Sequence, residues 1–188
     1  MIGYAICGSF CTHKQSVEAL RAIAAKYDVL PILSYATSTT DTRFGSARGL
    51  IDTVTAITGH DPVMTIRDAE PLGPKTPLEA LVISPCTGNT LAKLANAITD
   101  TPVTMAAKAH LRSDRTLLIA LASNDALAAN LANIGTVLGR KNIFFVPMRQ
   151  DDVVSKPHSL VADFAKVPAA LDAALEGRQI RPLFCSFE

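Results

Sequence analysis

Residues 80–95 read ALVISPCTGNTLAKLA, and their pattern decides the fold. The run from Ala80 to Pro85 is apolar almost without interruption, as expected of a strand buried on both faces. It stops at Thr87-Gly88-Asn89-Thr90, residues that favour turns and helix starts. Beyond them Leu91, Leu94, Ala95 and Ile98 recur every three to four residues, the spacing of a helix with one apolar side. A buried strand that turns directly into an amphipathic helix is the unit from which parallel sheets are built.

The same unit repeats in both directions. Apolar, β-branched runs at 2–7, 28–35, 116–122 and 142–148 predict four more strands. Helical spacing places Val17, Leu20, Ile23 and Ala24 on one helix and Leu50, Val54 and Ile57 on another, with further helices expected over 102–112, 125–139 and 167–176. The prediction is α/β: one domain over 1–188, a Rossmann-like open parallel sheet, doubly wound, with helices on both faces. Residues 59–79 hold Pro62, Pro71, Pro74 and Pro77, so they are expected to form a long connection. The segment from 149 is also broken by prolines and is expected to be irregular.

Composition excludes several classes of partner. A chain of 188 residues is long enough to bury its own core, and its net charge of +1 creates no field that draws nucleic acid or anionic lipid. No apolar run approaches the roughly 18 residues needed to cross a bilayer, and no secretion signal is legible, which predicts a cytoplasmic protein. Cys7, Cys11, Cys86 and Cys185 lack the paired spacing of a zinc site and are expected to be thiols, so no metal is predicted.

In an open parallel sheet, ligands bind beyond the carboxyl ends of the strands. The loops there hold Gly8, Ser9 and Phe10 after the first strand, and Ser34 and Thr37 after the second. Ser84, Cys86, Thr87, Asn89 and Thr90 surround the end of the third, and Ser123 and Asn124 follow the fourth. They supply hydroxyls, amides and glycines but no full positive charge, which suits a phosphate held on helix N-termini. Each could equally serve only as a helix cap, a role such residues favour. The first loop is not G-x-G-x-x-G and no P-loop occurs, which leaves a mononucleotide, with FMN the redox-active choice.

The string SPCTGNTLAKLANAITDTPVTMAAKAHLRSDRTLLIALASND (84–125), with GSFCT near the start, resembles the flavoprotein family of flavin-containing cysteine decarboxylases and flavin prenyltransferases. Pro85-Cys86-Thr87-Gly88-Asn89-Thr90 stands for the family's P-A-S-A-N-T-like loop, and Leu121-Ala122-Ser123-Asn124 for its P-x-M-N-like loop. The resemblance implies a flavoprotein-like three-layer sandwich, FMN on the twelve loop residues named above, and a homo-oligomer. The alanine-rich ALAANLA at 126–132, expected to be helical, suits close packing between copies. Within the family the resemblance points to an oxidoreductase subunit acting on a small dicarboxylate with a second subunit, through which NADP would enter. Flavin-dependent decarboxylation or prenyl transfer is the alternative. The decarboxylases carry a histidine near the second or third strand, and ATSTTDTRFG (36–45) has none.

Arg43 and Arg48, just after the second strand, are the expected substrate contacts, because guanidinium groups grip carboxylates at two points. Solvated side chains at a helix start are the plain alternative. His60 is expected in an exposed turn, and His13 at a helix start either donates to the cofactor or is simply exposed.

Overall fold

The computed structural model describes residues 1–73 and 75–186. Five parallel strands form the core of the sheet: β1 (Ile2–Ile6), β2 (Val29–Leu33), β3 (Ala80–Thr87), β4 (Thr116–Ser123) and β5 (Ile143–Phe145). Two antiparallel strands, β6 (Met148–Asp152) and β7 (Lys156–Ala162), extend it in the order β2-β1-β3-β4-β7-β6, while β5 pairs with β4 beside β7. Strand order reverses between β1 and β3, so the loops after those two strands open onto the same crevice.

The helices are α1 (His13–Ala24), α2 (Tyr35–Thr39), α3 (Ala47–Thr58), α4 (Ile66–Ala69), α5 (Gly88–Ala95), α6 (Pro102–Leu111), α7 (Leu131–Leu138) and α8 (Val167–Leu175). Alternate strand residues feed two cores. Tyr4, Ile6, Leu33, Val82, Leu118 and Ala120 point to the side that packs Leu20 and Ile23 of α1, Val54 of α3 and Leu171 of α8. Ala5, Ile32, Leu81, Ile83, Ile119 and Leu121 point to the other, against Leu91 of α5, Val103 and Ala106 of α6 and Ile134 of α7. Both faces are covered, hence the unbroken apolar strands and the three layers.

Two expectations need correction. The segment from 149 is not irregular: Met148 to Ala162 is a hairpin. Its outer half is exposed from Asp151 to His158, so its charges and Pro157 mimic a loop, whereas Ser159 to Ala162 meets the end of β4. Helix α7 starts at Leu131, not 125. Residues 124–130 are mostly turn because the Asp125 backbone carbonyl accepts from the amides of Ala128 (3.0 Å) and Asn130 (3.1 Å), and its side chain holds Ser123 and Asn130. Short polar side chains compete with the helix in this way. The proline-rich connection at 59–79 contains one short helix, α4, and bridges Val63 to Ile32.

Candidate functional site

A cleft of about 1450 Å³ opens at the carboxyl edge of the sheet, larger than the roughly 300–1,000 Å³ of most ligand sites. Gly8, Ser9, Phe10 and Cys11 line it from the β1 loop, Thr87, Gly88 and Asn89 from the start of α5, and Ser123, Asn124 and Asp125 from beyond β4. The chain approaches itself closely here. A Cβ on Gly8 would lie 3.3 Å from that of Ala36, and one on Gly88 would lie 2.6 Å from Asn130 Nδ2 and 2.9 Å from Asp125 Oδ1. Helix α5 is capped by Thr87, whose side chain accepts from the Thr90 amide. Its first-turn amides at Gly88 and Asn89 have no acceptor within the helix.

The remaining expected contacts turn inward. Ser34 caps α2, and the Thr37 hydroxyl donates to the carbonyls of Ser34 (2.8 Å) and Ile6 (3.1 Å), tying the second loop to the first strand. Ser84 is fully buried and its carbonyl accepts from Ser16 Oγ at 2.5 Å, while the Tyr4 hydroxyl donates to the Ser16 carbonyl at 2.8 Å. Cys86 is fully buried, and Thr90 Oγ1 lies 3.3 Å from Cys7 Sγ. Burial pushes the Cys7 thiol up to about 11 and raises that of Cys86, so neither is a nucleophile. Ser34, Thr37, Ser84, Cys86 and Thr90, expected at the cofactor, do not line this cleft: Thr37 lines a smaller pocket beside it with His13 and Phe44, and the others brace the loops that line the cleft.

The two arginines separate. Arg43 lines the cleft, with its guanidinium carbon 4.8 Å from the Phe44 ring centroid. Arg48 pairs with Asp52 at 2.9 Å on the exposed side of α3 and does not line it. In its place the cleft gains Lys14, Arg149 and Lys156. The last two are hard to find by sequence, because the outer half of their hairpin resembles a loop.

Asp125 is another lining residue that sequence reasoning misses. Its carboxylate accepts from Ser123 Oγ at 2.5 Å and from Asn130 Nδ2 at 2.9 Å, and these bonds hold its carboxyl below the usual range. The group is an ionised acceptor that fixes the loop, and it has no proton to give near neutral pH. His13 lies 2.9 Å from the Cys7 carbonyl through Nε2, and burial lowers its pKa, so it is a neutral donor bracing the β1 loop. His60 pairs with Asp28 at 2.7 Å, at the opposite end of the sheet from the cleft. No cluster of three metal-binding side chains occurs among the described residues, and no helix is long and apolar enough to cross a membrane.

Known proteins share this fold, and some of them resemble the chain in sequence. Residues 63–159 match the Flavoprotein family model. The chain is 39% identical to the B subunit of dipicolinate synthase of Bacillus subtilis (strain 168) over 97% of its own length and 92% of that protein. The crystal structure of the dipicolinate synthase B subunit from Bacillus halodurans C superposes with a TM-score of 0.89 at 40% identity, covering 98% of this chain and 95% of that one. The FMN-dependent cysteine decarboxylase SpaF shares the fold at 23% identity and a TM-score of 0.64, covering 94% and 95% of the two chains.

Proposed function

The chain belongs to the Flavoprotein family, and on that premise we propose that it is an FMN-binding oxidoreductase subunit of dipicolinate synthesis. It would act with a dipicolinate synthase A subunit that brings NADP, oxidising dihydrodipicolinate to pyridine-2,6-dicarboxylate during sporulation. The observation that carries this reading is the neutral polar set at the switch point of the sheet: the side chains of Ser9, Asn89 and Asn124 with the first-turn amides of α5, on loops braced by Thr87 and Ser123. These residues fit FMN. A phosphate is stabilised by free amides at a helix start without needing a lysine, and Gly8 keeps the β1 loop low enough for close approach.

When bound, FMN would supply the capacity to accept a hydride. The chain's own residues do the positioning. Ser123 is held by Asp125, Asp125 by Asn130, and Thr87 caps α5, so the β4 loop and the helix start that presents its amides are fixed before any ligand arrives. Phe10 and Phe44 contribute apolar wall. The family's decarboxylases and prenyltransferases offer the alternative chemistry, but no histidine lines the cleft among the described residues, while several cations suited to a dicarboxylate do.

We further take the protein to be a homo-oligomer. The alanine-rich stretch 126–132 cannot supply a helical contact between copies, since it is mostly turn. Support comes instead from the exposed apolar side chains of Tyr35, Leu131 and Phe184. Sedimentation at micromolar concentration should show a species heavier than 19.9 kDa.

The test of the cofactor reading is Ser9→Asp, which sets a carboxylate against the phosphate position. The parent should purify with a flavin absorption band, and the variant should fold with its parent's circular dichroism but lose most bound FMN. Full loading of the variant would place the phosphate elsewhere.

A further inference from the structure

One row of paired residues crosses four strands at the cleft. Thr87 of β3 pairs with Ala122 of β4, Ala122 with Val161 of β7, and Val161 with Arg149 of β6. All four line the cleft. Residues directly opposite in a sheet share a face, so the row aims Arg149 along the same wall that carries Thr87. At about 4.8 Å per strand, three spacings separate their backbones by roughly 14 Å. That is farther than one side chain spans, so the amides at the start of α5 and the Arg149 guanidinium address different anionic groups.

The acids around Arg149 are committed elsewhere. Asp151 pairs with Lys156 at 2.5 Å, Asp163 with Lys166 at 3.4 Å, and Asp125 is held by Ser123 and Asn130. Glu18, on the α1 wall, lies 3.8 Å from Arg21. Arg149 makes no ion pair or side-chain hydrogen bond among the described residues. A guanidinium aimed into a cleft whose acids are already matched is a receptor for an anion from outside.

Resting on the reading of the cleft as a flavin and dicarboxylate site, we propose that Arg149, and not Arg48, recognises a carboxylate of the small dianionic substrate. Its planar fork accepts a carboxylate at two points, a geometry that lysine cannot reproduce. The neutral loops at the near end of the row then hold the cofactor, and the cation at the far end selects substrates that carry a negative charge there.

Calorimetric titration of the purified, flavin-loaded protein with pyridine-2,6-dicarboxylate tests the assignment, with pyridine-2-carboxylate as the singly charged control. Arg149→Met should weaken dicarboxylate binding on the order of tenfold to a hundredfold and shrink the preference over the control, at unchanged flavin content and Tm. Arg149→Lys should fall between parent and Met, and decides the matter if the Met variant does not fold. Arg48→Met should bind like the parent. Failure of the parent to bind the dicarboxylate, or equal affinity in the parent and the Arg149 variants, overturns the proposal. If the protein neither purifies with FMN nor takes it up, the cofactor reading fails separately, and the same titrations on flavin-free protein still judge Arg149.

Discussion

Two turns of this protein are built by the same chemistry and placed in opposite surroundings. At the end of β4, Asp125 accepts from the Ser123 hydroxyl at 2.5 Å; at the tip of the β6–β7 hairpin, Asp152 accepts from the Ser155 hydroxyl at 2.5 Å and from the amides of Val154 and Ser155 at 2.9 Å. Hydrogen bonds hold both carboxyls low, Asp152 at about 2. Yet Asp125 sits beneath Gly88 beside buried Ser123 and Asn130, whereas every residue from Asp151 to His158 is exposed. Water can replace each bond at the tip, but at the β4 turn an unmade bond leaves a buried group without a partner. The same local motif is therefore rigid scaffold in one place and a replaceable surface feature in the other, with context supplying the difference.

The strongest way to break this contrast is Gly88→Ala. The added methyl would enter the space shared by Ser123, Asn130 and Asp125, and the expected cost is about 1–3 kcal/mol, with a parallel fall in FMN content. Thermal unfolding that matched the parent would mean that the network gives way freely. An alanine at the exposed Ser155 should leave unfolding unchanged.

Acid titration sharpens it further. His110 is fully buried, with Nε2 2.7 Å from the Thr116 carbonyl and no partner for Nδ1, and burial lowers its pKa below 6.5. A depressed pKa means the unfolded chain binds the proton more readily, so this contribution is present above 6.5 and is lost as pH falls through the folded value. Asp125 behaves likewise about its ordinary value of 3.8: its contribution is present above that value and disappears as the carboxylate is protonated. Stability measured by denaturant should therefore be flat between about pH 7 and 8, decline first below 6.5 and decline again below about 4. Asp125→Asn opposes two amide donors, and should cost about 1–3 kcal/mol at pH 7 and flatten the lower step.

The smallest effect is expected for Asp152→Asn. Although the Asp152 pKa is shifted to about 2, the group is fully exposed, and loosening the tip should leave global unfolding where it was. Hydrogen exchange at the Val154 and Ser155 amides should accelerate while the core strands keep their protection. A clear drop in Tm would show that the hairpin is coupled to the core more tightly than its exposure implies.

Much of the fold is legible because its signals are local. The apolar runs at 2–7, 80–85 and 116–122 can be satisfied only by burial on both faces, and the helical spacing of Leu20 and Ile23 or Leu91 and Leu94 names the sides that cover them. The glycines and hydroxyls after each strand mark the edge that carries the cleft for the same reason: chain direction fixes which end of a parallel strand meets a helix start. Sequence also suffices to place Gly8, Ser9, Thr87, Asn89, Ser123 and Asn124 at that edge.

Sequence does not reveal which of those side chains face outward. Ser84 and Cys86 share a loop motif with Thr87, but the strand continues through them and the sheet buries both. Nor does it show that Ser16, polar in an apolar stripe, belongs inside with Tyr4. Arg149 lies 62 residues beyond Thr87 in the chain, as their numbers show, and reaches the same row only because β7 runs back antiparallel against the end of β4. The amino-acid order alone determines where strands, helices and the polar edge form, since those follow from neighbours within a few turns. Which charges face that edge is decided by strand pairing between distant segments, and only the tertiary structure carries that information.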